Sequence, residues 1–450
     1  MCTLPRAGRL FQAIMLFDFT PLQGYFRHRS APGEYTDRSP LAPSGGNAQA
    51  GALSGGFLHQ SSHFIVKNSP MYDFSNAQLV MHGHPTLDRL LPYTCPEAAV
   101  DSSARIPPPK CHPGTREKVK GKISTWFHDP DRTAKAMWLY GPAGTGKSAV
   151  AQTIAEICVD QDCLGAAFFF SRPNGRNKAE TVVPTIAYQL ATSLPPYRSA
   201  LTKIIADDIT VLEKTPRVQL KKLIIEPFSA LQRKRPFTRR PLLARKLLLI
   251  VLDGLDECEG LDAQLELVEM IEEFNRVASL PFLWLICSRP DPHLMYIFSR
   301  SIECNRHQLS IDTETRKDAE KYLRDGFTSI QQKFFGTSGG DWPSPDHFQK
   351  ILDITDGLFV LGHAILGYIG NPTFQNPTQR LLDFLAFMEH ADRIATDNPL
   401  ETLDLLYSRI LMDISPVVMP TTRRILQHCL YDIDYYFYKK FSSQVLANFL

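Results

Sequence analysis

The sequence predicts an α/β fold, a parallel sheet with helices on both faces, followed by an all-α helical region. Three observations carry that expectation. Short apolar runs alternate with helical stripes between Ala136 and Ile311. A glycine-rich turn separates the first such run from the first stripe. From Thr313 onward the strands stop while helical periodicity continues. Strand, helix, strand in regular succession calls for crossover connections that lay helices on the faces of a parallel sheet.

The turn is Gly141-Pro142-Ala143-Gly144-Thr145-Gly146-Lys147-Ser148, a full match to G-x-x-x-x-G-K-[ST]. Before it, Ala136-Met137-Trp138-Leu139-Tyr140 reads as a buried strand. After it, Ala149, Val150, Ile154, Ala155 and Cys158 recur at helical spacing. Glycines let successive backbone N–H groups turn toward phosphate oxygens, and the helix N-terminus adds partial positive charge. All eight residues are therefore candidate nucleotide ligands, with the Lys147 ammonium between β- and γ-phosphates and the Ser148 hydroxyl on Mg²⁺. This makes the expected sheet that of a P-loop NTPase.

A chain of 450 residues holds two or three domains, and its formal charge of +2 is close to balance, so the whole chain carries no field that would by itself argue for nucleic acid or an anionic membrane as a partner, and nucleic acid is not expected. The nine cysteines are odd in number and scattered, as reduced thiols in a cytoplasmic protein are. The longest apolar runs, Leu247 to Leu252 and Phe282 to Cys287, fall far short of the roughly 20 residues that span a bilayer, so no membrane span is expected. Residues 10–17 after Arg6 and Arg9 resemble a signal peptide, but Asp18 cuts the apolar core and no small-residue cleavage site follows.

Taken in order, residues 1–56 read as a disordered or linker N-terminus, rich in Ser, Pro, Gly and Ala from 31 to 56. Residues 57–106 read as a short β-like segment, with His63 to Lys67 and Met71 to Phe74 as its strands. Pro107 to Arg116 is a proline-broken leading segment whose single Cys111-His112 pair is too little for a zinc site, and Lys118 to Phe127 is an amphipathic helix. Leu164 to Phe170, Leu247 to Leu252, Phe282 to Cys287 and His307 to Ile311 are the further strands; helical stripes run through Val183, Ile186 and Leu190 and through Leu265, Val268, Ile271 and Phe274. The basic run from Arg233 to Lys246 reads as a solvated loop leading into the Leu247 strand, with a nuclear signal or nucleic-acid patch as the competing reading. These residues make an NTPase domain over 107–311, with its core at 136–290.

Residues 312–450 make a helical, winged-helix-like region. Thr315 to Asp318 reads as a capping box opening a helix that ends near Gly326. More helices are expected over 347–354, 358–369, 378–390 and 401–414. The final Ser443 to Leu450 is an apolar helical pattern with neither cap nor polar tail, which reads as a chain cut short.

A second acidic motif narrows the chemistry. Asp253 ends the most apolar strand, where ligands of open α/β sheets bind, and is a candidate Mg²⁺ holder. Asp256 and Glu257 follow one turn on as candidates to polarise the attacking water. Arg289, after the strand that ends in Ser288, is placed to reach a γ-phosphate, with a local salt bridge as the competing reading.

Together, Trp138 to Ser148, Leu249 to Cys258 and Ile286 to Pro290 resemble a NACHT domain of the nephrocystin-like proteins abundant in fungi, within the STAND, NLR-like class. Pro109 to Arg116 is similar to their leading segment, and Asp356 to Phe359 and Leu403 to Tyr407 to their helical region. The resemblance covers about residues 57 to 440. It implies a signal-transducing ATPase that acts as a nucleotide-controlled oligomerisation switch with slow hydrolysis, self-associating through the NACHT domain and working on a protein effector the sequence does not name. ATP rather than GTP is the family expectation, because no Asn-Lys-x-Asp motif is present. The alternative is a nucleotide-binding scaffold that no longer hydrolyses.

Overall fold

A computed structural model describes residues 85–233, 247–276, 280–301, 303–336 and 342–390, with 402, 405–407, 411 and 417–424 beyond them. The chain divides into two compact units, Phe17–Pro85 and the remainder, and every described residue except Pro85 lies in the second. The linker, both strands expected before residue 75, most of the basic run and the terminal apolar pattern lie outside the described residues.

Five strands form one parallel sheet: β1 (Ala136–Tyr140), β2 (Leu164–Phe169), β3 (Leu248–Asp253), β4 (Phe282–Ser288) and β5 (Cys304–Gln308), in the order β2-β3-β4-β1-β5. In chain order the helices around and after it are α1 (Pro85–Leu90), α2 (Glu117–His128), α3 (Lys147–Asp160), α4 (Val182–Ser193) and α5 (Pro195–Asp207). After them come α6 (Pro216–Gln219), α7 (Glu226–Arg233), α8 (Leu261–Arg276), α9 (Pro292–Arg300), α10 (Thr313–Phe335), α11 (Pro345–Thr355), α12 (Phe359–Ile369) and α13 (Pro377–His390).

The continuous apolar runs have a simple cause: both faces of the sheet are covered. Successive side chains alternate between two cores. Trp138, Phe168, Ile250, Leu252, Trp284 and Ile286 join the cluster with α4, α5, α8 and α9. Their neighbours Leu139, Phe169, Leu249, Val251 and Leu285 join Ile123 and Trp126 of α2 and Val150 and Ile154 of α3 on the other face.

Four expectations need correction. The fifth strand is Cys304–Gln308 rather than His307 to Ile311; it pairs on one side only, with β1, and its exposed, polar residues carry no apolar signal. Within 85–106 there is no strand among the described residues: α1 is followed by three short 3₁₀ turns, two of them started by Pro92 and Pro96, whose missing N–H groups suit a first turn and not a ladder. Leu90 and Ala98 of this segment are fully buried in the α4 core. The cap of α10 is Asp312, whose carboxylate accepts the Thr315 N–H at 2.8 Å, while the Thr315 hydroxyl donates to the Ser310 carbonyl at 3.0 Å.

The fourth concerns Gly326, where α10 does not end. The helix runs on to Phe335, and the glycine faces α12: a Cβ at 326 would stand 2.3 Å from Leu366 Cδ1 and 3.2 Å from its Cγ. Here the glycine permits close helix approach rather than a chain reversal. Gly326→Leu is therefore expected to destabilise the α10–α12 packing by about 1–3 kcal/mol. Gly121→Ala, on an exposed turn of α2 with open space around it, is expected to stabilise by up to about 1 kcal/mol. Chemical denaturation of the two variants beside the wild type measures both signs.

Candidate functional site

The phosphate loop joins β1 to α3 at the carboxyl edge of the sheet. At Gly144 the backbone takes φ +80°, and a Cβ there would stand 2.5 Å from Val360 Cγ1 of α12, so only glycine fits between loop and helix. The Thr145 hydroxyl donates to the Pro142 carbonyl at 2.9 Å, which closes the loop on itself. Lys147 Nζ donates to the carbonyls of Gly141 and Pro142, each at 2.8 Å, so the ammonium lies over the loop. Burial pushes the Lys147 pKa down, against the pull of Asp256 and Asp253.

Asp253 ends β3, buried beside the loop. Burial pushes its carboxyl up to about 6, while a hydrogen bond from Ser148 and the charge of Lys147 hold it down and Glu257 and Asp256 push it up. One hydroxyl and one carboxylate side by side fit a magnesium ion that takes its other oxygens from phosphates and water. Ser148 and Asp253 are thus the residues that would hold Mg²⁺.

Gly254, at φ +74°, lies with its Cβ position 3.3 Å from the Phe170 carbonyl and turns the chain into a 3₁₀ turn, Leu255–Glu257. The two acids of that turn have separate partners. Asp256 Oδ1 accepts the Arg289 N–H at 3.0 Å and its Oδ2 lies 3.2 Å from Arg289 Nε. Glu257 Oε2 accepts the Arg172 N–H at 3.0 Å, and burial pushes its pKa up. Arg289 therefore holds the local salt bridge that competed with a free phosphate-sensing role, and Asp256 is committed to that arginine. Of the pair, Glu257 keeps an oxygen, Oε1, outside this network.

Two arginines at the site have no counterpart among the sequence-derived candidates. Arg172 follows β2, and its Nη2 donates to the Asp256 carbonyl at 3.1 Å. A signal was there to find, since Ser171-Arg172-Pro173 repeats Ser288-Arg289-Pro290 after another strand. Arg116 precedes α2 in a left-handed conformation at φ 58° and is buried. It donates from Nη2 to the Thr145 carbonyl (2.6 Å) and from Nη1 to the Thr315 hydroxyl (3.0 Å); its backbone N–H donates to Asp318 Oδ2 (2.8 Å). Its guanidinium also lies 4.9 Å from the ring centre of Phe359.

The same leading segment places Cys111 and His112 on different partners. The Cys111 N–H donates to Thr153 Oγ1 at 3.0 Å, and the His112 ring meets Asp325 Oδ2 of α10 at 2.7 Å. The first holds the segment to α3 within the NTPase domain, and the second fastens it to α10. Because the Arg116 guanidinium satisfies the Thr145 carbonyl and the Thr315 hydroxyl at once, Arg116→Ala is expected to lower stability by about 2–3 kcal/mol. A thermal or urea midpoint equal to wild type would contradict that.

Residues 118–289 match the model of the family described as Nephrocystin 3, N-terminal. No curated protein matches the chain significantly. Among solved structures, Cdc6p from Pyrobaculum aerophilum is similar at 14% identity and a TM-score of 0.37, over 78% of this chain and 89% of that one. Drosophila ORC bound to DNA is similar at 12% identity and 0.33, over 74% and 82%. Likenesses that loose say nothing of function. The family match opens with α2 and closes on Arg289, so it takes in the phosphate loop, the acidic turn and the strands beside them: over this stretch the chain is similar to the nephrocystin-like, NACHT-associated family.

Proposed function

We propose that the chain is a nucleotide-operated switch that binds ATP with Mg²⁺, hydrolyses it slowly and self-associates through the NTPase module according to the nucleotide held. The observation that carries this reading is the convergence of Lys147, Ser148 and Asp253 at the carboxyl edge of the sheet. The loop N–H groups cradle the phosphates, and Lys147 exchanges its two loop carbonyls for β- and γ-phosphate oxygens. Mg²⁺, when held by Ser148 and Asp253, supplies charge neutralisation of those oxygens.

Hydrolysis needs water to attack the γ-phosphorus as the bond to the β–γ bridging oxygen breaks. Glu257 is the group assigned to accept the water's proton. Arg289, held by Asp256, offers its remaining donors to the γ-phosphate. The helical region packs on the loop directly through Val360 and is tied to it by Arg116, which bridges Thr145 and Thr315, so it stands where nucleotide state would be read. A protein effector in the cytoplasm completes the proposed pathway.

Lys147→Ala is expected to abolish nucleotide binding in calorimetry while the fold survives; unchanged affinity would sink the assignment. Asp253→Asn is expected to weaken Mg²⁺-dependent binding. Glu257→Gln is expected to leave binding intact and slow turnover by about 10²–10⁴. Binding without turnover in the wild type would make the chain a scaffold instead.

For the switch itself, static light scattering of the purified chain in ADP and then in ATP is expected to show larger species with ATP. A monomer in both nucleotides would contradict self-association.

A further inference from the structure

The turn after β2 runs alongside the acidic turn for its whole length. The Phe170 N–H donates to the Asp253 carbonyl at 2.9 Å, the Arg172 N–H to Glu257 Oε2 at 3.0 Å, Arg172 Nη2 to the Asp256 carbonyl at 3.1 Å, and the Glu259 N–H to the Asn177 carbonyl at 2.8 Å. Asn177 Nδ2 reaches back to Glu259 Oε2 at 3.3 Å.

This neighbour is itself stiff. Ser171 and Arg176 exchange two backbone hydrogen bonds of 2.9 Å, Asn174 Nδ2 donates to Ser171 Oγ at 2.8 Å, and Arg176 Nε donates to the Phe169 carbonyl at 3.2 Å. A rigid turn zippered to a short 3₁₀ turn fixes what the latter's side chains face. Arg289 grips Asp256 from β4 on one side of β3, and Arg172 grips the same turn from β2 on the other.

We propose that Arg172 is a positioning residue for nucleotide hydrolysis: it pins the acidic turn through the Asp256 carbonyl and, with its own N–H on Glu257 Oε2, leaves Oε1 aimed at the attacking water. The inference rests on the assignment of Glu257 made above. Arg172 touches no phosphate in this account, so its loss alters turnover and leaves binding alone. Rates are sensitive to such placement, since a shift of about 1 Å in a catalytic group costs up to roughly 10²-fold.

The test is a double-mutant cycle on the full chain, read as single-turnover ATP hydrolysis with protein in excess and as ATP affinity. Arg172→Ala is expected to lower the rate by about tenfold or more with affinity within about twofold. Arg172→Lys, which keeps a donor for the Asp256 carbonyl, is expected to recover part of it. In the Glu257→Gln background, Arg172→Ala is expected to change the residual rate no further. If alanine at 172 prevents folding, Arg172→Lys carries the same cycle.

An affinity that falls in step with the rate, or an equal loss in the Glu257→Gln background, overturns the inference. Glu257→Gln inactive beside a fully active Arg172→Ala overturns this inference alone. A wild type without turnover, or Glu257→Gln as active as wild type, overturns the reading of the site and this inference with it.

Discussion

A carboxylate at the end of a fully buried strand is the constraint around which the site is built. Asp253 is almost wholly shielded from water, and an ion so placed must find donors and positive charge or give up its charge. The chain supplies Ser148 and Lys147, one residue apart at the start of α3, yet the pKa still stands at about 6. A folded pKa above the unfolded one means that folding is opposed by ionisation. The cost is absent at low pH, grows as pH rises through about 4 to 6, and is fully present at neutral pH, on the order of a few kcal/mol. On the proposed reading a magnesium ion with its nucleotide is the missing counter-charge, and any ligand that binds only the folded state returns that energy as stability.

The same shortage of positive charge explains the arginines. Three acids, Asp253, Asp256 and Glu257, lie within five residues at the edge of the sheet. Asp256 is paired with the Arg289 guanidinium, while Glu257 takes the Arg172 backbone N–H and the Arg172 guanidinium lies on the Asp256 carbonyl; the two arginines follow the strands flanking β3. Breaking one partner of such a pair leaves the other charge desolvated and alone, which is the expensive outcome, so the arrangement is more rigid than a surface salt bridge would be.

What was legible in the sequence follows from range. The phosphate loop, β1, β3, β4 and α3 are encoded locally, by glycines at fixed offsets and by apolar runs that both faces of the sheet demand, and these are found where the sequence places them. Features that depend on a distant partner were not legible. Gly326 reads as a helix stop until α12 is known to lie against it. Strand β5 hides because an edge strand has only one partner to satisfy. Arg172 is silent because β2 and β3, which pair Leu164 with Leu249 and Phe169 with Asp253, are far apart in the chain, and no local rule makes them neighbours. Thr315 reads as the cap of α10 where Asp312 serves, a displacement of three residues between two side chains of similar capping chemistry.

The helical region meets the NTPase domain at the least forgiving point available. Gly144 is a loop residue without room for a methyl group, and what fills the room is Val360 at the start of α12. One residue earlier in α12, Phe359 lies under the Arg116 guanidinium, and that guanidinium is hydrogen-bonded to the next loop residue, Thr145. Packed interfaces of this density do not deform smoothly; they hold one arrangement or change to another. A phosphate entering the loop alters the charge on the very backbone that Val360 and Arg116 touch. The loop and α12 must then keep their fit together or give it up together, and no softer element lies between them to absorb the difference.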